Sequence, residues 1–258
     1  MRILAIGDIF GRSGRDAVFN VLEKSRDEYD FILANAENAA HGRGLSKPVY
    51  EELLRAGIDA FTLGNHTFGC PDIVTIMRYN HNICRPANFE GDICGTGSII
   101  VPAKNGIKVG IINLIGRTYM PQSAKSPFYT ADEELEKLSG KCDIVLVDFH
   151  AEATSEKMAM GYYLDGRVSA VFGTHTHVQT ADAKILPRGT GYITDLGMTG
   201  PSVSVLGVDK NIIVERFLGG IPKKFEVAEG KPQFCAAVFE IDEKSNKTLK
   251  IERIYKEF

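Results

Sequence analysis

Among the five cysteines, Cys70, Cys84, Cys94, Cys142 and Cys235, no two form a Cys-x-x-Cys pair. Odd in number and widely spaced, they exclude a disulfide framework and a structural zinc knuckle, and they read as reduced core residues. An apolar run approaching the ~20 residues of a membrane span is also missing. The opening strand, Arg2 to Gly7, is interrupted by Asp8 too soon for a signal peptide. The expectation is a cytoplasmic protein with no membrane partner. Positive charge is not in excess: the formal net charge is -3, which leaves no footprint for duplex nucleic acid. Gly-Lys-Ser/Thr does not occur, and Gly7 to Gly14 is spaced Gly-x-x-x-Gly-x-x-Gly with Asp8 inside it, so a P-loop and a dinucleotide fingerprint are both excluded.

What is there is a chain long enough, at 258 residues and 44% hydrophobic, to bury a full core. Neither a Pro- or Ser-rich linker nor a repeat of fixed period divides it, and it reads as one domain, 1–258. Apolar runs alternate with helical spacing. Ile3 to Ile6 predicts a strand, Gly11 to Gly14 a loop, and Arg15 to Tyr29 a helix. Phe31 to Asn35 predicts a second strand, and Lys47 to Ala56 a helix with Ser46 as N-cap and Gly57 beyond its end. Ala60 to Leu63 is a third strand, followed by a helix from Pro71 to Tyr79. Asn82 to Gly97 reads as irregular, Ser98 to Val101 with Lys108 to Leu114 as a hairpin, and Thr130 to Leu138 as a helix. Asp143 to Asp148 and Val168 to Phe172 predict buried strands around a helix from Ser155 to Tyr163. Gly191 to Asp195 follows as a strand, and Ala236 to Ile241 with Leu249 to Ile254 as an antiparallel pair. This alternation points to α/β architecture with mixed sheets covered by helices.

Polar residues follow the apolar strands directly: Asp8, Glu37-Asn38, Asn65-His66, His150, and His175 with His177. In an α/β sheet the carboxyl ends of neighbouring strands open on a shared crevice, so residues far apart in sequence can meet there. Extended backbone would turn His175 and His177 to the same side. Carboxylates, amide oxygens and imidazoles without thiolate suit iron, manganese or zinc, and calcium would want fewer histidines. A catalytic zinc needs only three protein ligands plus water, so the count points to two ions. Two ions sharing a bridging carboxylate and hydroxide fit phosphoester hydrolysis by in-line displacement.

In this order, Gly7-Asp8, Gly64-Asn65-His66, His150 and Gly173-Thr174-His175-Thr176-His177 resemble the calcineurin-like metallophosphoesterase superfamily. Its pattern is Asp-x-His, Gly-Asp-x-x-Asp, Gly-Asn-His, His and Gly-His-x-His. Phe10 stands where that pattern has the histidine of Asp-x-His, and Asn35-Ala36-Glu37-Asn38 replaces the bridging aspartate motif. Both departures look like the YmdB-like branch of cytoplasmic bacterial phosphodiesterases. The resemblance covers essentially the whole chain. It implies a four-layer α/β/β/α sandwich of two mixed sheets and a dinuclear centre, with iron and/or manganese as the ions and zinc as an alternative. The implied substrate is a cyclic nucleotide, 2',3'-cyclic AMP being favoured. Residue by residue, Glu37 takes the place of the bridging aspartate, Asp8 and His177 hold the first ion, and Asn65, His150 and His175 hold the second. Asn38 fills the coordination place vacated at Phe10. His66 is similar to the family's general acid, and a histidine free of metal is what protonating a departing oxygen requires.

For the substrate phosphate, Arg12, Arg15, Arg43 and Arg117 are candidates, of which at most one is expected to serve. His41 in its Gly-rich loop is a further candidate, and Gly11 to Gly14 offers backbone N–H groups at a helix start. Tyr119, Met120 and Phe128 read either as a stacking floor for a base or, more commonly for such residues, as core or lid. A phosphomonoesterase with the same centre, and a nucleotide-sensing regulator with secondary hydrolysis, remain as alternatives. The sequence is compatible with a homo-oligomer.

Overall fold

The computed structural model describes residues 1–121, 123–221 and 223–258. The chain opens with β1 (Arg2–Ile6), β2 (Asp8–Ile9), α1 (Gly11–Ser25), β3 (Phe31–Asn35), α2 (Lys47–Arg55) and β4 (Ala60–Thr62). It continues through α3 (Asp72–Tyr79), β5 (Ile83–Cys84), β6 (Ser98–Pro102), β7 (Lys108–Ile115), α4 (Pro127–Leu138), β8 (Ile144–His150) and α5 (Thr154–Leu164). Then come β9 (Ala170–Thr174), β10 (Lys184–Ile185), β11 (Gly191–Ile193), β12 (Met198–Pro201), α6 (Lys210–Phe217), β13 (Pro232–Ile241) and β14 (Thr248–Glu257).

The strands form two mixed sheets. One runs β2-β12-β13-β1-β3-β4-β5 with β14 beside β13, and the other runs β10-β11-β9-β8-β7-β6. Period-two alternation along each strand decides what lies between them. Leu4 and Ile6 of β1 face outward, packing with Val18 and Leu22 of α1, Leu53 of α2 and Ile73 of α3. Ile3 and Ala5 face inward and meet Ile111, Leu146 and Phe172 of the second sheet. That sheet's other face carries Ile112, Val147 and Val171 under Leu138 of α4 and Met160 of α5. The result is helix, sheet, sheet, helix, as the resemblance implied.

Several expectations are corrected. Gly11 to Gly14 is the first turn of α1 and not a loop before it, because β2 pairs with β12 and turns the chain into the helix at Phe10. Asn82 to Gly97 contains the short strand β5, which pairs with β4. The strands β2, β10 and β12 and the helix α6 are too short or too weakly patterned to have been read from sequence. Cys94 is exposed rather than in the core, and all five cysteines are free. β9 ends at Thr174, so His175 and His177 lie beyond the strand. Their φ angles are 99° and 64°, not extended. Among the described residues no helix is long and apolar enough to cross a membrane.

Candidate metal centre

The parallel strands β1, β3 and β4 of one sheet and β8 and β9 of the other deliver their following residues to one cleft. His150, with no solvent exposure, ends β8. Its Nδ1 donates to Thr174 Oγ1 at 2.9 Å, and Thr174 Oγ1 donates to Asp148 Oδ1 at 2.7 Å. Asp148 is kept in place by Thr62 Oγ1 at 2.5 Å and Asn35 Nδ2 at 3.2 Å. This relay turns His150 Nε2 into the cleft, where it meets Asn65 Oδ1 at 2.8 Å, Glu37 Oε1 at 3.1 Å and His175 Nδ1 at 3.1 Å. Gly64 permits the approach: a Cβ there would overlap three atoms of the His150 ring.

Two further imidazoles are fixed in the same manner. His175 Nε2 lies 3.2 Å from Glu152 Oε2, leaving Nδ1 turned inward. His177 Nδ1 lies 3.0 Å from the carbonyl oxygen of Leu206 and donates to it, leaving Nε2 turned inward. An outer anchor on one ring nitrogen with the other nitrogen presented inward is the usual environment of metal-ligating histidine. His177 Nε2 is 3.7 Å from Asp8 Oδ1 and 3.3 Å from Asn38 Nδ2.

Asp8 has no solvent exposure. Its Oδ2 accepts the His175 N–H at 3.1 Å, while its Oδ1 is buried without a hydrogen-bond partner. An orphaned carboxylate oxygen in such a place is costly unless a cation completes it. Asn38 links the two halves: its Oδ1 accepts from His66 Nδ1 at 2.7 Å, and its Nδ2 lies 3.3 Å from Glu37 Oε1. The Asn38 carbonyl therefore faces His66, and acting as a ligand would require the amide to turn over. Phe10 sets its ring edge-on to His177 with centroids 5.5 Å apart. It is pressed against the backbone of Gly42 and Gly207, where any Cβ would overlap the ring.

Charge is distributed unevenly. Burial alone would raise the Glu37 carboxyl, but His150 beside it, and the His66 backbone N–H at 2.7 Å, hold it down to about 2. Burial disfavours the charged His150, yet Glu37, Asp8 and Asp148 raise it to about 9. Burial and then the neighbouring His150 push His175 down to about 3. Burial raises Asp8 despite the opposing pull of His177. His66 is lowered by burial, with Glu37 opposing and the Arg43 guanidinium reinforcing. Glu37 thus favours the protonated His150, and the protonated His150 disfavours charge on His175.

The cleft gathers Asp8, Glu37, Asn38, Asn65, His66, His150, His175 and His177. Arg12 is exposed and paired with Asp16 at 3.8 Å, and no side-chain bond ties His41 or Arg117 to the cluster among the described residues. Arg15 is committed to Glu52 at 2.9 Å and to the Ala39 carbonyl at 2.8 Å. Of the four arginines, Arg43 is the one whose charge acts on His66. Phe128 packs on Tyr163 in the outer core, and Tyr119 is exposed. Sequence reading missed Asp148, Thr174, Glu152 and the Leu206 carbonyl. The sign available for Asp148 was a carboxylate inside the apolar run Ile144 to Phe149.

The donor set fits divalent metal. Ligand atoms of Glu37, His150 and His175 lie within 4.8 Å of one another. Asp8 Oδ1 and His177 Nε2 face each other at 3.7 Å in the same cleft.

A family model described as YmdB-like protein matches residues 4–254. The chain is 48% identical over 256 residues to the Bacillus subtilis (strain 168) 2',3'-cyclic-nucleotide 2'-phosphodiesterase, covering 98% of this chain and 96% of that one. A crystal structure of a hypothetical protein from Thermus thermophilus superposes with a TM-score of 0.93 at 40% identity, covering 100% of this chain and 99% of that one. A Mycoplasma pneumoniae crystal structure, described as a novel phosphatase, gives 0.92 at 37% identity, covering 100% and 93%. With the match spanning nearly the whole chain, the protein belongs to the YmdB-like family.

Proposed function

We propose that this protein is a metal-dependent phosphodiesterase that opens cyclic nucleotides, with 2',3'-cyclic AMP the favoured substrate. The observation that carries the reading is Asp8 Oδ1, buried, unpartnered and 3.7 Å from His177 Nε2, in the same cleft as a Glu37 carboxylate that meets His150 Nε2 at 3.1 Å and Asn38 Nδ2 at 3.3 Å. The relative from Bacillus subtilis, at 48% identity, supports the substrate class.

Asp8 and His177 would hold one ion and Asn65, His150 and His175 the other, with Glu37 between them; Asn38, whose carbonyl is engaged by His66, would join the first only with its amide turned over. Iron and manganese suit these donors best, and zinc would also be accepted. Bound ions supply Lewis acidity toward the phosphoryl oxygens and acidify water near neutral pH. The chain's own residues do the rest. The relay through Thr174 and Asp148 fixes the His150 tautomer and ring. His66, whose side chain keeps 34% of its exposure, is oriented by Asn38 through Nδ1, so that in the imidazolium form its Nε2–H remains to protonate the departing ester oxygen. Arg43, acting on His66, brings positive charge to where a phosphate would enter and helps to lower the acid's pKa.

The test joins metal analysis of the purified protein to side-by-side rates on 2',3'-cyclic AMP, 3',5'-cyclic AMP and a nucleoside monophosphate. Preference for the first, with metal required, supports the reading, and preference for the monoester would replace it with a phosphatase. That second reading has one specific support, the description of the Mycoplasma pneumoniae relative as a phosphatase. Opening at the 2' ester, which the Bacillus subtilis relative's name specifies, predicts 3'-AMP rather than 2'-AMP as product.

A further inference from the structure

His175 and His177 occupy backbone that side chains rarely adopt, with φ of 99° and 64°. Such conformations persist only where the surroundings hold them. Thr176, between the two, is fastened to Asp195: its N–H donates to Oδ2 at 3.1 Å and its Oγ1 donates to the same oxygen at 2.7 Å. Asp195 has no solvent exposure, and its Oδ1 accepts the Gly197 N–H at 2.8 Å. Lys157, reaching in from α5 and 2% exposed, donates to Asp195 Oδ2 at 2.6 Å and to the Thr174 carbonyl at 2.8 Å. One buried ion pair therefore grips the residue before His175 and the residue after it. Among the described residues no hydrogen bond links the side chains of Lys157, Asp195 or Thr176 to the side chains of Asp8, Glu37 or the three imidazoles.

We infer that Lys157, Asp195 and Thr176 form a brace that splays His175 and His177 toward opposite halves of the metal centre. A buried ion pair is poor evidence of a stability device, since well-packed apolar replacements often do as well. A pair whose donors and acceptors are spent on both sides of one strained histidine has a different use. Released from Asp195, Thr176 is free to rotate, and the two unfavourable φ values relax. His175 Nδ1 then leaves Glu37 and His150, and His177 Nε2 leaves Asp8. The three are positioning residues, and the inference rests on the metal-centre reading.

Thr176→Val removes one donor and keeps the ion pair and both histidines, Thr176→Ser restores the donor, and Asp195→Asn weakens the pair itself. Each metal-stripped protein is titrated with Mn²⁺, and backbone amide exchange at residues 174–178 is followed without metal. Thr176→Val is expected to weaken Mn²⁺ binding by about 10- to 100-fold, with Thr176→Ser returning it to within about threefold of the parent. The loop amides of metal-free Thr176→Val are expected to exchange about tenfold faster, with a melting temperature near the parent's. Unchanged Mn²⁺ affinity together with unchanged loop exchange in Thr176→Val would overturn the brace. If the parent itself takes up no Mn²⁺, the metal-centre reading fails, and loop exchange alone still decides the brace. Should Asp195→Asn not fold, the threonine pair carries the test.

Discussion

His150 Nε2 stands 3.1 Å from Glu37 Oε1 where water does not reach, an ion pair whenever the imidazole is protonated. His150 is raised to about 9 in the fold, from an unfolded value of about 6.5. Its contribution to stability is therefore complete below about 6.5 and lost as pH climbs through about 9. His175 is depressed to about 3, so its contribution is present above about 6.5 and lost as pH falls toward 3. From about pH 6.5 to about pH 9 the metal-free protein should therefore melt progressively lower, whereas on the acid side the His175 loss is offset by Asp148, which burial raises to about 6. Metal, taking the proton's place, should flatten the alkaline limb. Melting curves with and without chelator check this, and a metal-free melting temperature that rises from about pH 7 to about pH 9 counts against it.

Glu37→Gln leaves the shape of the cleft but removes the charge that faces both halves. Bound metal, measured by elemental analysis, should fall below about one ion per chain, and turnover should drop by at least about 100-fold. If a regulatory effect in cells survives this change while hydrolysis does not, the protein has a second, non-hydrolytic role.

His66→Ala touches the proposed acid without touching the cluster's inner nitrogens. Metal content should stay at the parent level while kcat on 2',3'-cyclic AMP falls by about 10²- to 10⁴-fold. An aryl phosphodiester, whose leaving group needs no proton, should lose far less. A metal-free His66→Ala protein shows the histidine to be a ligand instead.

Gly64→Ala inserts a methyl into the space of the His150 ring. Overpacking of this kind costs about 1–3 kcal/mol, and for a chain of this size each kcal/mol lowers the melting temperature by about 2–4 °C. Loss of metal should accompany the lower melting temperature, because the ring can yield only by leaving the Thr174 relay. A variant that melts lower but loads metal normally would show that the ring has another place to go.

The strand ends were legible because buried strands read as unbroken apolar runs, and the polar residue ending each run stands out. Asp8, Glu37, Asn65, His150, His175 and His177 were all marked in that way. Residues that orient them were not marked. Thr174 and Thr62 look like ordinary strand residues, and only the register of β8 on β9, with His150 opposite Thr174, brings hydroxyl to imidazole. Lys157 sits in a helix where lysine is commonplace, and its burial depends on α5 lying over β9. The histidine pair shows the opposite failure: spacing of two suggested one face of a strand, but positive φ at both residues turns them to different neighbours. Phe10 was visible as a departure from pattern, whereas the glycine backbone shaped around its ring was not.

β13 lies between β12 and β1, with Ile6 opposite Ala236 and Pro201 opposite Pro232. Asp8 follows β1, yet that strand's antiparallel neighbour β13 lies far later in the chain. β2, which carries Asp8, finds its own partner in β12, also late in the chain. While the ribosome is still extending the polypeptide, the two halves of the centre have no common frame, and a stray ion meeting the early segments finds no complete set of donors. On the proposed reading, the ion is therefore selected only after β13 has joined β1 and β12 has joined β2.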